Sequence, residues 1–316
     1  MNANRNISLD LLRGFAMIAV VAIHLYSMVP SMLGVSSAGI LADLSRWAVP
    51  VFFMISGRFM LGKPVSLAGL WNGNRIVRLV FILLFWNYFY WILRPVELPG
   101  IIKCTLDTGE AHLWFMYTLV LIYALIPIFQ PMVKAGYGWY FVGIWFVLDV
   151  LLPSFNFAGE RGLLHHFKRD LMGVTFGYSG FFVLGYCISE CWSKLVRFRW
   201  GIYGVGVCAL FLSALLPRNI LYVFSAIAIY CLFSQIRIRP ASRFARPVLF
   251  LSSMSLGVYL IHPLVLSVFS SLGLDVWALA LCPLQVVGVV LLLVMTVIVS
   301  VALSYAIDRG TVLGSV

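Results

Sequence analysis

The chain has 316 residues, 62% of them hydrophobic and only 10% charged, with a formal net charge of +11 at pH 7. A soluble domain cannot hide that much apolar surface, and the apolar runs are continuous, not alternating. Composition therefore excludes a water-soluble enzyme and an outer-membrane β-barrel, and predicts an all-α, polytopic membrane protein. The positive charge does not point to nucleic acid, because the basic residues fall between hydrophobic runs and form no extended patch with interleaved aromatics.

The first predicted span, residues 8–29, is long enough to cross a bilayer yet carries Asp10, Arg13 and His24, which hydrocarbon penalises. Eleven helical steps place Arg13 and His24 on one face, roughly 16 Å apart along the axis. Asp10, three residues before Arg13, can partly neutralise it. The helix thus presents a polar stripe; the plainer alternatives are that Asp10 and Arg13 mark its wet end and that His24 is a structural histidine near the far interface. Arg5 and the apolar run superficially suit a signal peptide, but no small-x-small cleavage site follows, so the segment is expected to be retained.

Further spans are predicted at 41–61, 76–93, 113–132, 137–152, 171–189, 200–216, 220–236, 248–272 and 276–306, which makes a single bundle of about ten. Pro127 and Pro131 are expected to kink or end the fourth. Two polar loops follow the third and fifth spans, one with Glu97, Lys103, Asp107 and Glu110, the other with Glu160, Arg161, His165, His166, Lys168 and Arg169. Lysine and arginine concentrate on the side holding Arg5, Lys63, Arg75, Arg78, Arg309 and the basic stretches at 194–199 and 237–246, which places both termini in the cytoplasm. The six cysteines lie mostly within spans and show no CxxC or ligand spacing, so neither a disulfide nor a metal site is expected. There is no internal repeat; residues 1–316 read as one transmembrane domain with no appended soluble domain.

Arg75 and Arg78, three apart at the cytoplasmic start of the third span, share a face. With Arg13 they would make a cationic mouth for a phosphate-bearing ligand, since guanidinium groups suit phosphate geometry; the bland alternative is that they obey the positive-inside rule. Tyr259 and His262 share a face just before Pro263, either lining an acceptor side and bracing His24 or belonging to a Pro-kinked helix. His112 and Trp114 fall at the outer interface, where Trp commonly anchors.

The opening LDLLRGFAMIAVVAIH resembles the first helix of the acyltransferase 3 family of integral membrane acyltransferases, whose signature is a basic residue, ten residues, then histidine; Arg13 and His24 meet that spacing. RIVR at 75–78 is similar to the family's Arg-x-x-Arg element, VPVFFMISG at 49–57 to its second helix, HLWFMYTL from His112 to its fourth, and SLGVYLIHPLV from Ser255 to its late Tyr and His-Pro motif. The resemblance covers most of the chain in the expected order. It implies transfer of an acyl group, usually acetyl from cytoplasmic acetyl-CoA, onto a hydroxyl of a surface or exported polysaccharide or its precursor. It further implies donor binding by Arg13, Arg75 and Arg78, and a catalytic His24, as base or transient acyl carrier; Asp10, on the same polar stripe, is placed in the catalytic set as this sequence's own reading. Tyr259, His262, His112 and Trp114 would face the acceptor. The implied partners are acyl-CoA as substrate, with no bound cofactor, a carbohydrate acceptor, the lipid bilayer and glycan-assembly proteins; the implied location is a bacterial cytoplasmic membrane. Arg58 departs from the pattern, standing where relatives place an apolar or aromatic residue.

Two competing classes remain at this level. A transporter or flippase of a glycan precursor would also use an intramembrane polar stripe, but transport folds tend to mirror such residues in both halves, and here they concentrate in the first helix. A scaffold would leave Arg13 and His24 without a purpose.

Overall fold

The computed structural model describes residues 6–26, 37–63, 75–93, 112–151, 153, 173–216, 219–280 and 285–310, and helix dominates them. Both predicted polar loops, with Glu97, Lys103, Asp107, Glu110, Glu160, Arg161, His165, His166, Lys168 and Arg169, lie outside the described residues, as does Arg5.

Helix α1 is Ile7–Leu25; the Asn6 side chain caps it by accepting the Leu9 N–H at 3.3 Å, and Asp10 in its first turn complements the positive end of the helix dipole. In chain order follow α2 Ser37–Ser45, α3 Ala48–Leu61, α4 Arg75–Leu93, α5 Trp114–Ala124, α6 Ile126–Lys134 and α7 Gly138–Trp145, which runs into a π-helical turn, Phe146–Leu151. Then come α8 Gly173–Leu195, α9 Arg199–Ser213, α10 Asn219–Gln235, α11 Ala245–Ser271, α12 Leu274–Ala280 and α13 Gln285–Gly310.

Among the described residues six helical stretches are long and apolar enough to cross a membrane: Ile7–Leu25, Ser37–Leu61, Ile76–Leu93, Gly177–Ser213, Ala245–Ser271 and Val286–Arg309. A seventh results if α5 and α6, bent by 57° at Leu125, count as one broken span. Pro127 stands in the first turn of α6, next to the break, as expected of it, whereas Pro131 lies inside α6, which runs on to Lys134 without ending there. Two shorter apolar helices, Gly138–Leu151 and Ile220–Gln235, fall where two more spans were predicted. The predicted spans 171–189 and 200–216 are joined: the basic stretch expected to be a loop is instead helical through Leu195 and continues in a 3₁₀ turn, Val196–Phe198. The protein is a polytopic helical membrane protein.

The chain forms two compact units, one of Met1–Phe52 and Lys194–Val316, the other of Phe53–Ser193. In the second unit, α3 and α8 approach backbone to backbone through glycine: a methyl group at Gly57 would overlap the Phe182 carbonyl, and one at Gly185 would overlap Met54. Small residues permit this closeness, which in lipid replaces the hydrophobic drive of a soluble core. Phe53, Phe115, Trp114 and Tyr178 form an aromatic cluster beside that seam, and Trp145 donates its indole N–H to the Gly177 carbonyl at 2.7 Å. Arg58 sits half-buried in the last turn of α3, where a cation complements the negative end of the helix dipole.

In the first unit α1 packs against α2, α10, α11 and α13. Its core layer is Met17 and Val21 of α1 with Met254 and Val258 of α11, covered by Leu293, Val297 and Val301 of α13. Gly257 brings α11 so close to α13 that a methyl group there would overlap Ser304.

Candidate active site

Asp10 meets Ser252 near one end of the α1 and α11 pair, and His24 meets His262 further along, so the two helices run parallel. Ser252 donates to Asp10 Oδ1 at 2.7 Å, and Arg13 lies 3.5 Å from the same oxygen. Asp10 and Ser252 are buried, at 6% and 3% exposure, while the Arg13 side chain keeps 33%. Arg13 is thus tethered at its base by a carboxylate and still open to an incoming ligand.

Fourteen residues further along α1, the His24 ring stands edge to face with His262, their centroids 4.8 Å apart at 61°. His24 Nδ1 lies 2.9 Å from the Val20 carbonyl and His262 Nδ1 lies 3.1 Å from the Val258 carbonyl. A carbonyl oxygen only accepts, so Nδ1 carries the proton in both rings and a neutral ring holds its lone pair at Nε2. That is the nitrogen able to take a proton from a hydroxyl or to attack a carbonyl carbon. His262 is fully buried, and the Tyr259 ring lies 6.2 Å from it.

The polar stripe read from the sequence is therefore two polar layers separated by the apolar layer of Met17, Val21, Met254 and Val258. Helical rise puts roughly 21 Å between Asp10 and His24, too far for a carboxylate to act on that imidazole directly. The contacts of Asp10 are instead with Ser252 and Arg13.

The other residues singled out in the sequence belong to the second unit. Arg78 is exposed in the first turns of α4, and the side chain of Arg75, at the start of that helix, lies outside the described residues. His112 is buried with its ring 5.0 Å from that of Tyr90, and Trp114 packs 5.0 Å from Tyr178 within the aromatic cluster.

Sequence reasoning missed Ser252, whose only signal is a small hydroxyl in a span at the helical height of Asp10. It also missed Asn87, which lies inside a span, is buried, and donates to the Tyr117 hydroxyl at 2.7 Å. An asparagine in an apolar run is itself such a signal. Also unforeseen is the cluster in which Asp43 holds the Arg46 Nε at 2.7 Å and accepts from the Tyr222 hydroxyl at 3.4 Å.

An imidazole pair with one buried and one half-buried ring fits several chemistries, and the family decides the class. A family model described as an acyltransferase domain matches residues 6–305. The chain belongs to the acyltransferase 3 family. No curated protein and no solved structure matches it. The geometry presents one imidazole lone pair of defined position at His24 and one tethered guanidinium at Arg13.

Proposed function

We propose that the protein is an O-acyltransferase of the bacterial cytoplasmic membrane, with both termini in the cytoplasm. It moves an acetyl group from cytoplasmic acetyl-CoA to a hydroxyl of a cell-surface or exported polysaccharide or its precursor. The observation that carries this reading is the His24 ring, whose Nδ1–H is committed to Val20 and whose lone pair is therefore at Nε2. The extent of the family match, across both compact units, supports treating residues 1–316 as one acyltransferase domain.

In this reading Nε2 of His24 takes the proton of the acceptor hydroxyl while the oxygen attacks the thioester carbonyl. The C–S bond then breaks, and the imidazolium returns the proton to the leaving thiolate. In the covalent variant the same lone pair attacks the thioester carbonyl, the C–S bond breaks and the CoA thiolate leaves; the acceptor hydroxyl then displaces the imidazole from the acyl carbon, and its proton ends on the thiolate. The His262 ring against His24 fixes its orientation; His262 and Tyr259 are assigned to the acceptor, and His112 and Trp114 are each assigned the same role. Arg13, positioned by Asp10, is assigned to donor binding, and Arg75 and Arg78 are each assigned the same role on their residue type and sequence motif. Acyl-CoA is a substrate, consumed in each cycle; the acceptor carbohydrate, and glycan-assembly proteins that deliver it, complete the set of partners.

The test uses purified protein in nanodiscs with labelled acetyl-CoA, following label into water, protein and an added glycan pool. Wild type should consume thioester and His24→Ala should not, at unchanged thermal stability. Label retained on wild-type protein and lost in the variant selects the covalent route. A fully active His24→Ala protein, or a wild type that binds but never consumes donor in the presence of native glycan extract, would overturn the assignment.

A further inference from the structure

A second feature of the first unit lies away from the histidines. A cleft of ≈ 570 Å³ opens at the end of the helices where α1 begins, lined by Leu11 and Phe15 of α1, Phe244 and Val248 around the start of α11, and Arg237, Arg239 and Ser242 of the joint between α10 and α11. That joint is held to α1 by the Ser8 hydroxyl, which donates to the Ile236 carbonyl. It carries no carboxylate between residues 236 and 248, while Arg243 and Arg246 belong to the same stretch of chain, Arg243 over the Phe244 ring at 4.9 Å. Among the described residues neither Arg237 nor Arg239 has an ion-pair partner. The apolar wall is open: Phe15 is 48% and Phe244 58% exposed.

Leu11 and Phe15 lie roughly 160° around α1 from Arg13, so the cleft is on the side of the helix away from the polar stripe. A ligand there needs two parts, an anion for the guanidinium groups and a chain for the exposed phenylalanines, and the cleft stands at a helix end, at the level where a bilayer changes from hydrocarbon to headgroup. We propose that it is a binding site for an anionic phospholipid: Arg237, Arg239 and the Ser242 hydroxyl hold the headgroup phosphate, and an acyl chain runs along Phe15 and Val248. This site is independent of the acyl-transfer reading and survives its failure.

The test reconstitutes the full chain in phosphatidylcholine nanodiscs containing a trace of spin-labelled phosphatidylglycerol or spin-labelled phosphatidylcholine, with the motionally restricted fraction as readout. Each interfacial arginine weighs about fivefold, so wild type should prefer the anionic label by up to about thirty-fold at low salt. Arg237→Ala/Arg239→Ala should abolish most of that preference, whereas Lys194→Ala/Arg197→Ala, which removes two exposed cations elsewhere in the same unit, should leave it. Should the double alanine variant fail to fold, Ser242→Asp, placing a negative charge in the cleft, must reduce the preference instead. No preference in wild type, equal loss in both double variants, or displacement of the label by acetyl-CoA would each overturn the proposal, the last by assigning the cleft to the donor nucleotide.

Discussion

Ser252→Ala removes the hydroxyl that reaches Asp10 across the α1 and α11 interface, and its effect can be worked from the geometry. The contact is 2.7 Å long between two side chains at 3% and 6% exposure, so water cannot substitute for it. A hydrogen bond to a charged group contributes about 1.5–3 kcal/mol in soluble proteins, whereas side-chain bonds between transmembrane helices average about 0.6 and reach about 1.7 kcal/mol. The short distance and complete burial place this one near the top of the membrane range, at about 1.5 kcal/mol, or about tenfold in the folding equilibrium. The measurement is a double-mutant cycle of Asp10→Ala and Ser252→Ala, read by reversible unfolding in mixed micelles, with the coupling term isolating the pair. The same cycle carries a kinetic readout: loss of the tether frees Arg13, so the KM for acetyl-CoA should rise while kcat stays near wild type, because Asp10 is roughly 21 Å from His24. A coupling below about 0.3 kcal/mol, within the scatter of independent sites, would refute the energetic argument. A kcat that falls at unchanged KM would refute the positioning role and return Asp10 to the chemistry.

Arg78→Ala is expected to raise the KM for acetyl-CoA about tenfold, the scale of one charge-assisted phosphate contact, with kcat retained in steady-state kinetics; an unchanged KM removes Arg78 from the donor site. Gly57→Ala and Gly185→Ala should each destabilise the fold by about 1–3 kcal/mol, because the added methyl meets backbone that cannot move alone. The control is Gly143→Ala, which meets nothing within 4 Å and, in mid-helix, should stabilise by about 0.5–1 kcal/mol in the same unfolding assay. Asn87→Leu should couple to Tyr117→Phe by about 0.6 kcal/mol, and independence of the two substitutions would deny their hydrogen bond a role in stability.

The membrane class was legible in composition, because no soluble fold can bury so much apolar surface, and the family was legible in the ten-residue spacing of Arg13 and His24 followed by its later motifs in order. Most helix positions were legible to within a few residues, and the break between α5 and α6 was announced by Pro127; the division of the predicted span 276–306 into α12 and α13 was not legible. The joint at 194–199 was not: charge there argued for a loop, but helix continues through charged residues at no great cost where they reach a membrane surface, so charge alone does not end a span.

Local periodicity placed Asp10, Arg13 and His24 on one side of one helix, and by itself that reads as a continuous stripe. Which residue each one meets depends on the register of α11, more than two hundred residues away in the chain, and no spacing within α1 encodes it. That register puts Ser252 against Asp10, an apolar layer at Met17 and Val21, and His262 against His24. The sequence by itself determined the environment, the helices and the reactive residue types. Tertiary packing decided that the carboxylate belongs to the arginine and the second imidazole to the first, because hydrogen bonds and ring contacts act only over the few ångströms that a folded interface supplies.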